Sequence, residues 1–174
     1  SFKKPLVITK VGKTVAGAKA AASHTGALAG ADRVFDGILN QFGIIRVRNE
    51  EHLLDTVDIL SKLKSPKGRN VGIITMSGGA GVQLADRAYE LGLNIPSLTI
   101  KTEKKLKKQL SNFASIKNPI DITAQFIAEP EMLRKSVKSV LSDENVDIGI
   151  IWLQLMDGFV NSLSKIFKLI KHEN

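Results

Sequence analysis

Short apolar runs and longer periodic segments alternate along this chain, and the alternation constrains the fold more than any other feature. Val71 to Met76 and Val146 to Leu153 are rich in valine and isoleucine, which is typical of strands buried on both faces of a parallel sheet. Between them, apolar side chains recur every three or four residues, as on one face of a helix. The sequence therefore predicts an α/β fold with helices flanking parallel sheets.

These patterns predict most of the secondary structure. Strands are expected at residues 5–10, 44–47, 71–76, 96–100 and 146–153, and helices at 27–42, 50–64, 82–91, 103–110, 129–141 and 160–172. Residues 11–25 are rich in Gly, Ala, Ser and Lys and are expected to form a loop. In the first predicted helix the apolar stripe consists of Leu28, Val34, Phe35, Ile38 and Leu39. The residues expected to face outward are Asp32, Arg33 and Asp36.

A polar stretch with Pro and Gly, residues 65–70, is the best candidate for a linker. It separates predicted domains at 1–66 and 67–174. The first has two predicted strands and two predicted helices, which is too little core for independent folding. Because Ser1 is not an initiator methionine and no strand follows the last predicted helix, we expect the chain to be a piece of something larger.

Composition excludes several classes of function. The chain has no cysteine, so disulfides and thiolate metal sites are ruled out, and no histidine–carboxylate spacing predicts a metal site. No signal peptide is recognisable, the longest apolar run is too short to cross a membrane, and the cytoplasm is the expected location.

The formal net charge is +8, which raises the question of nucleic acid. Much of the charge is a lysine cluster within residues 101–108, and on one amphipathic helix such lysines indicate a solvated face. Aromatic residues, which would stack on bases, make up only 5% of the chain. We expect no nucleic-acid or membrane partner, and a positive field that suits small molecules rich in phosphate.

A small-residue motif, Ser23-His24-Thr25-Gly26, precedes the first predicted helix. A helix N-terminus has unpaired N–H groups and a partial positive charge, so it attracts phosphate. An imidazole held there could accept a phosphoryl group covalently. The residues alone also allow a plainer interpretation, in which Ser23 or Thr25 caps the helix and His24 is an ordinary loop residue.

Two further segments are candidates for ligand binding. Ser77-Gly78-Gly79-Ala80-Gly81 connects a predicted strand to a predicted helix, where glycines let the backbone turn sharply and approach a ligand. Such a turn can equally be a compact connection. Asn118-Pro119-Ile120-Asp121 predicts a rigid turn in which Asp121 either caps locally or contacts a ligand.

The chain resembles the ADP-forming (NDP-forming) acyl-CoA synthetases, relatives of succinyl-CoA synthetase, and specifically their phosphohistidine and CoA-ligase region. The similarity is spread over blocks in family order: residues 4–10, 18–22, 23–30, 43–47, 72–81 and 118–123. This resemblance implies flavodoxin-like parallel sheets with flanking helices, one partial lobe plus a second lobe that is also incomplete.

The resemblance also implies roles for the candidate residues. His24 would take a phosphoryl group from an acyl phosphate and pass it to ADP. Two helices would direct their N-termini at the phosphohistidine, so that the amides of Gly78, Gly79 and Gly81 face His24. The phosphate-binding residues implied are Ser23, Thr25, Gly26, Ser77, Gly78, Gly79 and Gly81. Asn118 and Asp121 would lie near the acyl and pantetheine end of a coenzyme A site.

Parts expected of such an enzyme are missing from this sequence. The implied partners are an N-terminal Rossmann-like domain that binds coenzyme A and an ATP-grasp domain or subunit, in an oligomer. Coenzyme A and ADP or ATP with Mg²⁺ would be substrates of the complete enzyme. The glutamate that orients the histidine in relatives has no evident replacement here, so we do not expect the chain to turn over alone.

Two other functions stay open at this point. Similar regions occur as regulatory domains of protein acetyltransferases, where acyl-CoA is sensed and not converted. A plain flavodoxin-like nucleotide-binding module would use residues 77–81 alone. The intact Ser-His-Thr-Gly motif favours the synthetase.

Overall fold

The computed structural model describes residues 4–25, 31–63 and 65–154, together with residues 164 and 168. The chain divides into two compact units, Ser1–Ser65 and Pro66–Asn174. Each unit contains a parallel sheet with helices between its strands. The α/β class predicted from the alternation of runs and periodic segments is confirmed.

The first unit pairs two strands in parallel. Its elements are β1 (Val7–Thr9), α1 (Val15–Thr25), α2 (Asp32–Gln41), β2 (Ile45–Val47) and α3 (Glu50–Lys62). Val7 of β1 lies opposite Ile45 of β2, and Thr9 lies opposite Val47. Among the described residues of this unit only Leu39 and Val47 are buried hydrophobic side chains. Val34 and Ile38, which the pattern places on the apolar stripe of α2, are exposed.

The second unit contains a three-stranded parallel sheet. Its elements are β3 (Val71–Thr75), α4 (Gly78–Glu90), α5 (Ile100–Gln109), β4 (Ile120–Asp121), a 3-10 turn (Ala124–Ile127), α6 (Pro130–Leu141) and β5 (Ile148–Trp152). The strand order is β4-β3-β5, so β3 lies in the centre, and all five of its residues are buried. The core packs around Ile74, Leu106, Ile120, Leu133 and Val137.

Several predicted elements are wrong in type or extent. Residues 15–25 form a helix and not a loop, because an alanine-rich segment has high helix propensity, and Thr14 Oγ1 accepts a hydrogen bond from the Gly17 N–H at 3.1 Å. The described part of the first unit therefore contains three helices, where the sequence pattern predicts two. Residues 96–99 form no strand, since Thr99 is the N-cap of α5. The helix predicted from residue 27 begins, within the described residues, at Asp32, and the one at 160–172 lies almost wholly outside them.

Helix α3 differs from its sequence pattern in burial. Asn49 caps it by accepting the His52 N–H at 2.9 Å, and His52 itself is exposed. The pattern also predicts an inner face at Leu53, Leu54, Val57, Leu60 and Leu63. None of the residues of α3 is buried, and of these five side chains that of Leu53 is half-buried and the other four are exposed. Packing within the first unit therefore leaves this apolar stripe uncovered.

Asp143 is the buried anion that connects two helices of the second unit. It is 4% exposed and follows α6, and its Oδ2 accepts hydrogen bonds from the Thr99 N–H at 2.9 Å and the Thr99 Oγ1 at 2.7 Å. Its Oδ1 accepts from the Asn145 N–H at 3.0 Å. Burial acts to raise the pKa of Asp143, but hydrogen bonds from Thr102, Asn145 and Thr99 outweigh it, so the pKa is lowered.

We expect Asp143 to give the second unit a stability that depends on pH. A carboxyl whose folded-state pKa is lowered contributes fully above its unfolded pKa of about 4, and the contribution is lost as pH falls through the folded-state pKa. Denaturant unfolding of the chain and of Asp143→Asn from pH 7 to pH 3 should give a steeper loss of unfolding free energy with acid for the unsubstituted chain. Parallel pH profiles would contradict this assignment.

Candidate functional site

The carboxyl end of β3 leads directly into the first turn of α4, and hydrogen bonds define this connection. Buried Thr75 accepts the Ser77 N–H at its Oγ1 at 3.1 Å and donates that hydroxyl to the Ser77 carbonyl at 3.2 Å. Ser77 is then the N-cap of α4, with its Oγ accepting the Ala80 N–H at 3.5 Å. The chain thus turns from sheet to helix within two residues.

The helix includes the glycines that the sequence pattern predicts as a preceding turn. Gly78 is the first residue of α4, so residues 78–81 are its first turn. The N–H groups of Ala80 and Gly81 bond to the Oγ and the carbonyl of Ser77. In the described part of the chain, the N–H groups of Gly78 and Gly79 are left without a partner, as the start of a helix dictates.

The three glycines have different surroundings. Gly78 and Gly79 are exposed, and a Cβ on Gly79 would meet nothing nearer than the Ser77 Oγ at 4.0 Å. Gly81 is buried, and a Cβ there would lie 3.1 Å from the Pro119 Cβ and 3.2 Å from the Thr75 Cγ2. Gly81 therefore allows α4 to pack closely on the sheet, whereas Gly78 and Gly79 present open backbone.

Asp121 lies at the same edge, at the end of β4. Its Oδ1 accepts the Thr123 N–H at 2.8 Å, which is the local capping that the sequence allows. Its Oδ2 would lie 3.5 Å from a Cβ on Gly78, so this carboxylate oxygen borders the first turn of α4. Carboxyl ends of parallel strands are where open α/β sheets bind ligands.

Thr123 has an unusual backbone conformation beside Asp121. Its φ is 58° and its ψ is 179°, a region that costs a β-branched residue roughly 1–3 kcal/mol. The Thr123 N–H is bonded to Asp121, and its side chain accepts the Gln125 N–H at 3.3 Å. These two bonds hold the turn that follows β4 in its strained form.

Asn118 is engaged in the fold. Its Oδ1 accepts the Ile73 N–H at 2.9 Å, and its Nδ2 donates to the carbonyls of Val71 at 2.8 Å and Pro96 at 3.0 Å. The Asn118–Pro119 peptide bond is cis. Both amide hydrogens are thus used by the backbone, so the ligand contact predicted for Asn118 would have to use its remaining acceptor capacity.

In the first unit, His24 belongs to the last turn of α1. Ser23 lies within the same helix and donates its hydroxyl to the Ala20 carbonyl at 2.7 Å, so it does not cap a following helix. The side chains of His24 and Thr25, and the whole of Gly26, lie outside the described residues. In the described residues His24 therefore does not lie at the start of a helix, because the alanine-rich helix α1 continues through it.

A cluster of four charged side chains, missed by the sequence pattern, forms where α2 meets the strands. Arg46 on β2 bonds to Asp32 at 2.7 Å and to Asp36, and Lys10 after β1 reaches Asp32 at 3.3 Å. The hydrogen bond from Arg46 most strongly lowers the pKa of Asp32, and the reciprocal bond raises the pKa of Arg46. Asp32 and Asp36 thus do not face freely outward as predicted.

Two other features are absent from the described residues. No group of three or more His, Cys, Asp or Glu side chains there could hold a metal ion. No helix in that part of the chain is long and apolar enough to cross a membrane.

Comparison with known proteins then identifies relatives. Residues 1–60 match the family described as the succinyl-CoA ligase like flavodoxin domain. The chain is 39% identical over 146 residues to the ADP-forming acetate–CoA ligase I of Archaeoglobus fulgidus. The aligned region covers 84% of this chain and 21% of the relative. The chain is 37% identical over 148 residues to the alpha subunit of the ADP-forming acetate–CoA ligase II of Pyrococcus furiosus, covering 85% of this chain and 32% of the subunit.

A solved structure is similar as well. The acetyl-coenzyme A synthetase 1 of Ca. Korarchaeum cryptofilum, in complex with phosphate and ADP, matches with a TM-score of 0.77 at 30% identity, covering 94% of this chain and 37% of that chain. The resemblance to the ADP-forming acyl-CoA synthetases and the flavodoxin-like fold that it implies are confirmed. The chain spans about a fifth to a third of the length of the curated relatives named above.

The two roles of the α4 glycines can be separated by matched substitutions to alanine. Gly79→Ala should raise the unfolding free energy by about 0.5–1 kcal/mol, since the site is open and helical. Gly81→Ala should lower it by about 1–3 kcal/mol, because the new methyl group crowds Pro119 and Thr75. Denaturant unfolding of both variants measures the difference. Equal effects would show that Gly81 is not a packing contact.

Proposed function

We propose that this chain is the phosphohistidine and CoA-ligase portion of a cytoplasmic NDP-forming acyl-CoA synthetase. The complete enzyme would interconvert acyl-CoA, ADP and phosphate with a carboxylic acid, coenzyme A and ATP. The observation that carries this proposal is the intact Ser-His-Thr-Gly motif at His24, in a chain 39% identical over 146 residues to an ADP-forming acetate–CoA ligase.

His24 is the proposed phosphoryl carrier. Phosphate first displaces coenzyme A from the acyl group, which gives an acyl phosphate. The neutral imidazole then attacks phosphorus, the bond to the acyl oxygen breaks, and the carboxylate leaves. ADP finally takes the phosphoryl group, which regenerates His24 and forms ATP. Attack requires a lone pair on one ring nitrogen, so the other nitrogen must keep its proton.

The first turn of α4 is the proposed second phosphate-binding element. The unpaired N–H groups of Gly78 and Gly79, together with the partial positive charge of the helix, suit a phosphoryl group. Ser77 would contribute by capping and Gly81 by close packing. On the histidine side, Ser23, Thr25 and Gly26 would surround the phosphoryl group.

The edge next to β4 is the proposed acyl and pantetheine end of the coenzyme A site. Asp121 supports this because one carboxylate oxygen borders Gly78 at the carboxyl ends of parallel strands. Asn118 would act there mainly by fixing β3 and the turn before β4.

Other parts of the enzyme would supply what this chain lacks. We propose an ATP-grasp domain or subunit that delivers ADP or ATP with Mg²⁺, and an N-terminal Rossmann-like domain that holds coenzyme A, in an oligomeric assembly. The chain alone is not expected to turn over. The alternative is a regulatory domain of a protein acetyltransferase that senses acyl-CoA.

Phosphorylation of His24 tests the proposal. The chain within its complete enzyme, with both the N-terminal domain and the ATP-grasp domain or subunit, is incubated with Mg-ATP and its intact mass is measured. We expect a gain of one phosphoryl group that acid removes and that His24→Asn abolishes, since amide nitrogen is no nucleophile. A folded, complete assembly that gains nothing would reject the synthetase in favour of the sensory domain.

A charge placed on α4 tests the phosphate-binding element separately. Gly79→Asp should keep the fold, because an acidic residue in the first turn interacts favourably with the helix. Its charge at about 5 Å from a phosphoryl group would cost up to ~3 kcal/mol at an effective dielectric constant near 20. We expect phosphorylation of His24 to slow at least tenfold relative to Gly79→Asn, a neutral variant of equal size. Equal rates for the two variants would exclude phosphate from this turn.

A further inference from the structure

The segment that carries His24 begins and ends at two residues that contact each other. Residues 11–31 follow Lys10 and precede Asp32, and the Lys10 Nζ lies 3.3 Å from the Asp32 Oδ1. This segment includes α1 and the whole Ser-His-Thr-Gly motif. The Lys10–Asp32 ion pair therefore holds the two ends of residues 11–31 together, and we call this point the base of the segment.

Helix α1 depends on its ends for its position. None of its described side chains is buried, and Val15 at its start is 89% exposed. In the described residues it makes no extensive contact with another helix or strand. With so little packing, the placement of α1 relies on the attachment of the segment before it and after it.

Arg46 reinforces the base from the neighbouring strand. Its guanidinium forms a bidentate pair with Asp32, at 2.7 Å from Nη2 to Oδ1 and 3.1 Å from Nη1 to Oδ2, and also bonds to Asp36. The side chain of Arg46 is 14% exposed and that of Lys10 is 18% exposed. Partial burial makes this pairing less sensitive to solvent screening than a surface ion pair.

Phe35 supports both cations. The Lys10 Nζ lies 5.4 Å from the centre of its ring, and the Arg46 Cζ lies 5.8 Å away. Both distances are within the range of cation–π attraction. Asp32, Phe35 and Asp36 all belong to α2, so the first turns of this helix are fixed to β2 and to the end of β1.

We infer that Lys10, Asp32 and Arg46 form a clamp at the base of the segment, and that Lys10 is a positioning residue for phosphoryl transfer through His24. The inference rests on the proposed function for its catalytic consequence. Opening the clamp frees one end of the segment, so α1 moves relative to the strands and His24 spends less time in the reactive position. Lys10 itself need touch no substrate.

Three variants of the complete assembly test this inference. Lys10→Met removes the charge but keeps an unbranched chain, Lys10→Arg keeps the charge, and Lys62→Met breaks the exposed Lys62–Asp58 pair in the same unit as a matched control. Two quantities are measured for each: the rate of His24 phosphorylation by saturating Mg-ATP, and hydrogen exchange at the amides of residues 18–22.

Lys10→Met should slow phosphorylation at least tenfold and speed exchange in α1 several-fold, with the exchange of β1 and β2 unchanged. In Lys10→Arg both quantities should equal those of the unsubstituted chain, and Lys62→Met should change neither. Unchanged exchange in Lys10→Met overturns the clamp, even if phosphorylation falls, since Lys10 would then act on substrate directly. Faster exchange with normal phosphorylation overturns the positioning role.

The proposed function can fail independently. If the assembly with unsubstituted Lys10 gains no phosphoryl group, the synthetase assignment is rejected. The role of Lys10 in positioning His24 for phosphoryl transfer is then rejected as well. Exchange in the same samples still decides whether the clamp exists, because it requires no reaction. Loss of protection throughout the first unit in both Lys10→Met and Lys10→Arg would instead mark Lys10 as a general stability residue and reject the specific clamp.

Discussion

The burial of β3 is the constraint on which the second unit depends. Every residue from Val71 to Thr75 is buried, and the strand pairs in parallel on both sides. Because no side chain of β3 reaches water, the chain must turn sharply at its end to form the covering helix. Thr75 makes that turn through paired hydrogen bonds with Ser77, and the open first turn of α4 is the direct result.

The two units are stabilised in different ways. The second has a continuous apolar core formed by its sheet, α5 and α6, with Leu106, Leu133 and Val137 fully buried. The first buries only Leu39 and Val47 among its described hydrophobic side chains and relies on the charges around Arg46. A unit with so little apolar burial gains more from directional ion pairs, which fix geometry as well as add energy.

Strong periodicity made most of the fold predictable, and weak or long-range signals account for the rest. Buried runs and apolar spacing predict β3 and α6, whereas the pattern does not predict α1, because small residues satisfy both loop and helix patterns. The sequence pattern identifies the glycines of residues 77–81. Which of them are open and which are packed depends on contact with Pro119, which is distant in sequence. The spacing of Asp32 and Asp36 places both on one helix face and could have indicated a facing cation.

Asn118 has a consequence for how the second unit opens. Its amide group bonds to Val71, Ile73 and Pro96, so one side chain connects the central strand, the segment before α5 and the turn before β4. None of these three segments can separate without breaking bonds held by the same side chain. The three segments should therefore fluctuate together and not one by one. We expect them to separate only when the entire unit unfolds.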